Sequence, residues 1–137
     1  MLKYKQIKDT YGPEVLKSVK KLEQLSRSIG RYKSHVHFNL HCKHNNVIPK
    51  SLKITSPINS NNGRNIIHQT ERRLLNVRIS ETLQKKAQLI SERNKIIEKI
   101  RFLPNEIYNE LINLNESREK NELTKSAERQ KKNSTFL

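Results

Sequence analysis

Four histidines and the only cysteine of the chain lie in one short stretch, from His35 to His44. On a helix, His37 and His41 are i, i+4 neighbours and His41 and His44 are i, i+3 neighbours, a spacing that can hold a zinc ion. A closed structural zinc site needs a fourth ligand, and no CxxC or HExxH pattern accompanies the cluster. The simpler interpretation is a polar helix face near nucleic-acid phosphate, with Cys42 packed as a small hydrophobic side chain. We therefore expect no metal and no cofactor.

Carboxylates that could perform catalysis are scarce. Asp9 is the only aspartate, and glutamates pair with basic residues at helical spacing, as in Glu81–Lys85. Such pairs support a helix and need no further role. A metal-dependent nuclease needs clustered carboxylates, and the sequence has neither these nor a glycine-rich phosphate loop. We therefore expect that the chain is not an enzyme.

Basic residues are the strongest chemical signal in the sequence. The chain has 28 Lys and Arg against 13 Asp and Glu, a net charge of +15 at pH 7. Arginine binds phosphate through paired donors, and lysine acts as a point charge. No RNP, KH, homeodomain or zinc-finger pattern is present, so the sequence predicts contacts with the RNA or DNA backbone. The candidate nucleic-acid-binding residues are Lys17, Lys20, Lys21, Arg27, Arg31, Lys33, Arg64, Arg72, Arg73 and Arg78.

The positive charge is unevenly distributed along the chain. Residues 1–53 have 12 basic and 3 acidic residues, residues 54–103 have 10 and 4, and residues 104–137 have 6 of each. This division predicts a basic arm over 1–12, a polyanion-binding body over 13–103 and a neutral helix and tail over 104–137. The apolar residues form stripes too narrow for a membrane-surface helix, so we expect no membrane partner. With one cysteine and no secretory signal, we expect a location in the nucleus or cytoplasm.

Two long helices must position the basic residues. Hydrophobic residues make up 33% of the 137 positions, below the usual range of about 45–50%. The first helix is predicted from Pro13 to about His44, with a possible bend at Gly30. Its apolar stripe recurs every three or four residues and comprises Val15, Val19, Leu22, Leu25, Ile29, Tyr32, Val36 and Leu40. Tyr32 and Phe38 could stack on bases, but core packing is the simpler role for both.

A polar loop at about 46–64 separates this helix from a second one, predicted from about Asn65 to Phe102. The apolar side of the second helix comprises Ile67, Leu74, Leu75, Ile79, Leu83, Ala87, Ile90, Ile97 and Ile100. A third helix should start at Pro104, and after Asn115 too few apolar residues remain to order the chain. The sequence therefore predicts an all-α fold, a long antiparallel helical hairpin or coiled coil with a third, partly ordered C-terminal helix. Helices of this length also allow a homo-oligomer.

One stretch of the chain, from Leu22 to about Leu103, has a family pattern. Its matching residues are Phe38 and Cys42, the run Ile48-Pro49-Lys50-Ser51-Leu52, then Arg72, Leu75 and Arg78, and the break Phe102-Leu103-Pro104. The stretch resembles the region that precedes the reverse transcriptase domain in Penelope-like retroelements, which usually has Gly where Ser51 stands. The resemblance implies an accessory, nucleic-acid-binding segment of a mobile element. It also implies a fragment, a truncated copy or a remnant, because the polymerase carboxylates are absent.

Two functions from different classes remain open on these observations. The first is a non-enzymatic helical module that binds the RNA or DNA backbone. The alternative is a coiled-coil interaction or assembly protein whose basic surface meets an acidic protein partner. They differ in whether the basic residues or the apolar stripes provide the affinity for the partner.

Overall fold

The computed structural model describes residues 3–54 and 61–132, and it is helical through almost all of them. No strand occurs in these two ranges, so the predicted all-α class is confirmed. The helices are α1 (Tyr4–Tyr11), α2 (Pro13–His44), α3 (Asn61–Lys99) and α4 (Asn105–Lys132), with one 3₁₀ turn at Lys50–Leu52. No helix within the described ranges is long and apolar enough to cross a membrane.

Helix α2 is the centre of a three-helix bundle, because it packs against α3 on one side and α4 on another. The helix is continuous through Gly30, as the phase of the apolar stripe predicts. Near its start, Leu22 shares a core cluster with Ile96, and near its end Cys42 shares a second cluster with Leu75. Helix α3 therefore runs antiparallel to α2, and the predicted helical hairpin is confirmed.

The buried face of α3 differs in part from the predicted one. The buried apolar residues of α3 are Leu75, Ile79, Leu89 and Ile96, and Ile100, directly after the helix, is buried as well. Leu74 and Leu83, predicted to face the core, are 42% and 41% exposed, and Ala87 is exposed. The cause is that polar residues, Thr82, Lys86 and Arg93, occupy intervening positions of the true seam. Because these seam positions are polar, the apolar pattern alone points instead to Leu74, Leu83 and Ala87, which lie on the neighbouring face of the helix.

The predicted N-terminal arm contains a helix that belongs to the core. Ile7 of α1 is 2% exposed and joins the larger core cluster. Gly12 has φ +96°, a conformation that glycine adopts without steric cost, and Pro13 then opens α2 at its first turn. The ammonium group of Lys20 lies 5.3 Å from the centroid of the Tyr4 ring, a weak cation–π contact that adds to the packing of α1 on α2.

The expectation that the chain loses order after Asn115 is wrong through residue 132, because α4 continues to Lys132 and packs on α2. Small residues of α2 make this packing possible: Ser26, Gly30 and Ser34, spaced by four, are all buried. A Cβ atom on Gly30 would collide with the carbonyl oxygen of Glu119. The two helices thus approach closely near Glu119, beyond the apolar residues of α4 that join the core, such as Leu111.

Polar contacts hold α4 in this position. The carboxylate of Glu119 forms an ion pair with Lys33 of α2 at 2.7 Å and another with Arg93 of α3 at 3.4 Å. Arg118 lies 3.4 Å from Glu23 of α2. Both glutamates are largely shielded, with side chains 12% and 13% exposed, which strengthens these pairs relative to exposed ones. Three helices are therefore joined around one carboxylate.

The predicted polar loop at 46–64 is shorter on its C-terminal side than expected. Residues 61–64 already belong to α3, and residues 55–60 of the loop lie outside the described residues, as do residues 133–137 of the tail. The second helix thus runs from Asn61 to Lys99 rather than from about Asn65 to Phe102. On the N-terminal side of the loop, Ile48 and Pro49 are buried against the hairpin.

Exchanging two leucines for aspartate tests the assignment of the core face. Leu22 is 0% exposed and Leu83 is 41% exposed. We expect Leu22→Asp to lower the free energy of unfolding by about 4 kcal/mol or more, because it removes a core side chain and buries a charge. The matched Leu83→Asp should lose less than about 1.5 kcal/mol. Denaturant titration followed by circular dichroism measures both, and equal losses would contradict the seam described above.

A second test concerns the helix crossing at Gly30. Alanine normally stabilises a helix by about 1 kcal/mol relative to glycine. We expect Gly30→Ala to destabilise the protein instead, because forcing a methyl group into this contact costs about 1–3 kcal/mol. Gln24→Ala, on the exposed side of the same helix, is the control and should change the thermal midpoint little. A higher midpoint for Gly30→Ala would show that α4 does not pack closely on α2.

Candidate nucleic-acid interface

The structure does not bring all ten predicted binding residues together. Lys17, Lys20 and Lys21 are exposed near the start of α2, beside α1. Residues 17 and 43 of α2 are separated by about 39 Å along the helix axis, at 1.5 Å per residue. The three lysines therefore lie at the opposite end of the bundle from the end of α2. They form a separate basic patch.

Basic residues in the middle of α2 are already engaged within the fold. Arg27 lies 2.9 Å from the carboxylate of Glu23, and Lys33 makes the ion pair with Glu119. Arg31 donates a hydrogen bond to Ser28 at 3.3 Å. Lys33 in particular holds α4 on α2, so its first role is structural rather than binding.

Five basic residues converge where the end of α2, the loop and the first half of α3 meet. We call this group the basic end; it consists of Lys43, Lys50, Arg72, Arg73 and Arg78. All except Arg78 are exposed, and Arg78 is half-buried. Arg72, Arg73 and Arg78 were predicted from the sequence, whereas Arg64, also exposed on α3, lines none of the cavities described below.

Two open cavities lie at the basic end, on opposite sides of the seam between α2 and α3. One, of about 400 Å³, is lined by Lys43, Arg72 and Arg73 together with Gln69 and Asn76; we call it the arginine cavity. The other has about 710 Å³, and we call it the aromatic cavity. Its lining combines rings, amides and cations: Tyr32, His35, Phe38, Asn39, Pro49, Lys50, Ser51, Arg78, Thr82 and Gln130.

The loop after α2 is fixed to α3 by two hydrogen bonds. Arg78 donates from Nη1 to the hydroxyl oxygen of Ser51 at 2.7 Å. The backbone N–H of Ile54 donates to Oε2 of Glu71 at 2.8 Å. The 3₁₀ turn that contains Lys50 is therefore held at a defined position beside Arg78.

Uncompensated positive charge is the main electrostatic property of this end. The sequence from residue 24 to residue 70 contains no Asp or Glu. Glu71, the next carboxylate, is 8% exposed and accepts the hydrogen bond from Ile54. Burial, with the nearby positive charges of Arg31 and Arg78, lowers the pKa of His35 below its ordinary value. His35 is therefore neutral at pH 7, and it offers one donor and one acceptor to the aromatic cavity.

Three participants of the site are not among the ten residues predicted to bind nucleic acid: Lys43, Lys50 and Asn39. The two lysines belong to the acid-free stretch from residue 24 to residue 70, and this stretch is the sequence signal that could have found them. Asn39 has no such signal. Its position in the aromatic cavity depends on how α2 packs against its neighbours.

The candidate zinc ligands do not form a metal site in the described ranges. His37 and His41 line a third cavity beside Leu123 and Ala127 of α4, and His44 is exposed. The amide of Asn45 donates to Nδ1 of His41 at 3.2 Å. Within residues 3–54 and 61–132, no group of three or more His, Cys, Asp or Glu side chains could hold a metal ion.

Cys42 packs into the smaller core cluster. It is 0% exposed, in contact with the cluster that contains Leu75 and Ile79. Burial raises the pKa of its thiol, so the neutral thiol is favoured. A buried neutral thiol is a poor nucleophile and a poor metal ligand. Cys42 therefore has a packing role, as the simpler interpretation of the sequence suggests.

No protein-family model, curated protein or solved structure matches the chain. Several residues, among them Phe38, Lys50, Arg72 and Arg78, meet at the basic end around its two cavities. These residues are distant in sequence and adjacent in the fold.

Proposed function

We propose that the chain is a non-enzymatic, helical nucleic-acid-binding module that contacts RNA or DNA phosphates through the basic end. One observation carries the proposal: cations from α2, the loop and α3 gather around two open cavities where no exposed carboxylate lines the surface. Positive charge of this density releases counterions from a polyanion when it binds. A role as an accessory segment of a mobile element is part of this proposal, on the strength of the resemblance.

The basic end offers five cations on three neighbouring elements. Arg72 and Arg73 line the arginine cavity, and Arg78, about 9 Å further along the axis of α3, lines the aromatic cavity. Lys43 and Lys50 flank the arginines from the neighbouring elements. The basic end can therefore reach about five phosphates.

A second candidate function is assembly with an acidic protein partner, and one surface favours it. Ile66, Leu74 and Val77 are 64%, 42% and 53% exposed on the side of α3 that faces away from the bundle. These residues lie beside the exposed Arg73. In this candidate, the apolar residues supply the affinity, and the cations select a partner with an acidic surface. A second copy of the chain fits only if its own acidic residues meet these cations.

A salt series with matched variants tests the proposed function. With about five phosphates neutralised, we expect log affinity to fall with log salt at a slope near −4.5 for duplex DNA and near −3.5 for a single strand. Replacing both Arg72 and Arg73 by Gln should make the duplex slope less steep by about 2. It should also weaken binding equally for unrelated sequences, because phosphates are the same in all of them. Fluorescence anisotropy of labelled oligonucleotides measures both effects.

The control removes two positive charges far from the basic end. Lys95 and Lys99 are exposed near the end of α3, about 33 Å or more from Arg73 along the helix axis. Replacing both lysines by Gln lowers the net charge by the same amount and should change the slope much less. A flat salt response of the unaltered protein, or equal losses for the two pairs, would exclude the basic end as the interface.

Replacing Leu74 and Val77 by Ser should leave binding of nucleic acid intact.

A further inference from the structure

The aromatic cavity has features that phosphate binding does not use. It is open, has about 710 Å³, and holds two aromatic side chains, Tyr32 and Phe38, beside polar groups. Its volume lies in the range of small-ligand sites, which combine ring surfaces with a few polar groups that fix orientation. The cations at its edge, Lys50 and Arg78, belong to the basic end. A phosphate held there would place the attached sugar and base next to the cavity.

Asn39 is the most specific feature of this cavity. The residue is 3% exposed, and it is one of the residues that line the cavity. A carboxamide offers a donor and an acceptor side by side, the pattern that pairs with the polar edge of a nucleobase. Asn39 is therefore the side chain of this cavity best suited to bind the edge of a base.

The other polar groups of the cavity are fixed by the fold. Ser34 donates to the side-chain oxygen of Gln130 at 3.0 Å, which orients that amide at the wall formed by α4. His35 makes an edge-to-face contact with the ring of Tyr32, with centroids 5.7 Å apart. Arg78 is oriented by its hydrogen bond to Ser51. These contacts make a preformed site rather than a surface that must rearrange to bind.

We propose that the aromatic cavity binds one unpaired nucleotide, with its base against the aromatic rings, its polar edge on the Asn39 amide and its phosphate on Arg78 and Lys50. The inference rests on the proposed function and adds a preference for single strands. A base inside a duplex is stacked and paired, so it cannot enter without being extruded, which costs free energy. Stacking of bases on aromatic side chains is the usual means by which proteins hold single strands.

A pair of asparagine variants tests this site without changing the charge of the protein. Asn39→Leu keeps the size of the side chain and removes its donor and acceptor, and Asn94→Leu makes the same exchange at an exposed position of α3. Binding is measured at one salt concentration to a single strand, to the duplex of the same sequence, and to a single strand that carries abasic sites. The unaltered protein should bind the single strand about tenfold more tightly than the abasic strand.

We expect Asn39→Leu to abolish most of that tenfold difference while leaving duplex affinity and the salt slope within experimental error. Asn94→Leu should behave like the unaltered protein. If Asn39→Leu binds the single strand as well as the unaltered protein does, the cavity does not hold a base and the inference is wrong. That outcome would leave the salt-dependent binding of the basic end in place, whereas loss of all salt-dependent binding would remove the proposed function itself.

Two further measurements use the unaltered protein and do not depend on how a variant folds. A single strand containing 5-iodouracil should crosslink on irradiation to Tyr32 or Phe38, identified by mass spectrometry of the digested protein. Crosslinks confined to Tyr4, Tyr11 or Tyr108 would overturn the assignment of the cavity. Competition with a free nucleoside monophosphate distinguishes the source of the ligand: displacement of the crosslink at millimolar concentration shows that the cavity accepts a free nucleotide. Failure to displace it shows that the site needs the adjoining strand.

Discussion

The close approach of α2 and α4 at Gly30 is the contact on which the rest of the bundle depends. Helix α2 packs against α1, α3 and α4, so each neighbour is positioned through this one helix. Its apolar stripe packs on α3 and on the first turns of α4, through Leu111, and the small residues of α2 face the later part of α4. Because no Cβ projects from Gly30, the backbone of α4 can come near enough for Glu119 to meet Lys33 and Arg93. The walls of the aromatic cavity include residues from α2, α3 and α4, and they are in place for this reason.

The same constraint divides the basic residues into two classes. Where α2 is covered on both sides, Lys33 faces a carboxylate of another helix and is used for packing. Beyond the end of that covered region, the exposed cations Lys43, Lys50, Arg72 and Arg73 lie around open cavities. Position along one helix therefore decides whether a cation stabilises the bundle or is available to a polyanion. A net charge of +15 does not by itself reveal this division.

Much of the helical framework could be predicted from sequence, and the reasons for the misses are physical. The extent of α2 from Pro13 to His44 and its antiparallel pairing with α3 follow from a long apolar stripe with a uniform phase. The order of α4 beyond Asn115 did not follow, because its packing relies on glycine, serine and ion pairs rather than on apolar residues. The arginines at 72, 73 and 78 were found because charge is visible in a sequence. Asn39 could not be predicted, because nothing in the sequence shows that this residue lines a cavity.

The most direct test of the account is a residue-by-residue map of binding in solution. Uniformly ¹⁵N-labelled protein is titrated with a short single strand, and chemical-shift changes are followed for backbone amides and for arginine side chains. If the basic end is the interface, the largest changes occur at the end of α2, at the 3₁₀ turn and in residues 69–82 of α3, with smaller ones near Lys17 and Lys21. Changes confined to the lysines beside α1, or to the exposed apolar side of α3, would contradict it.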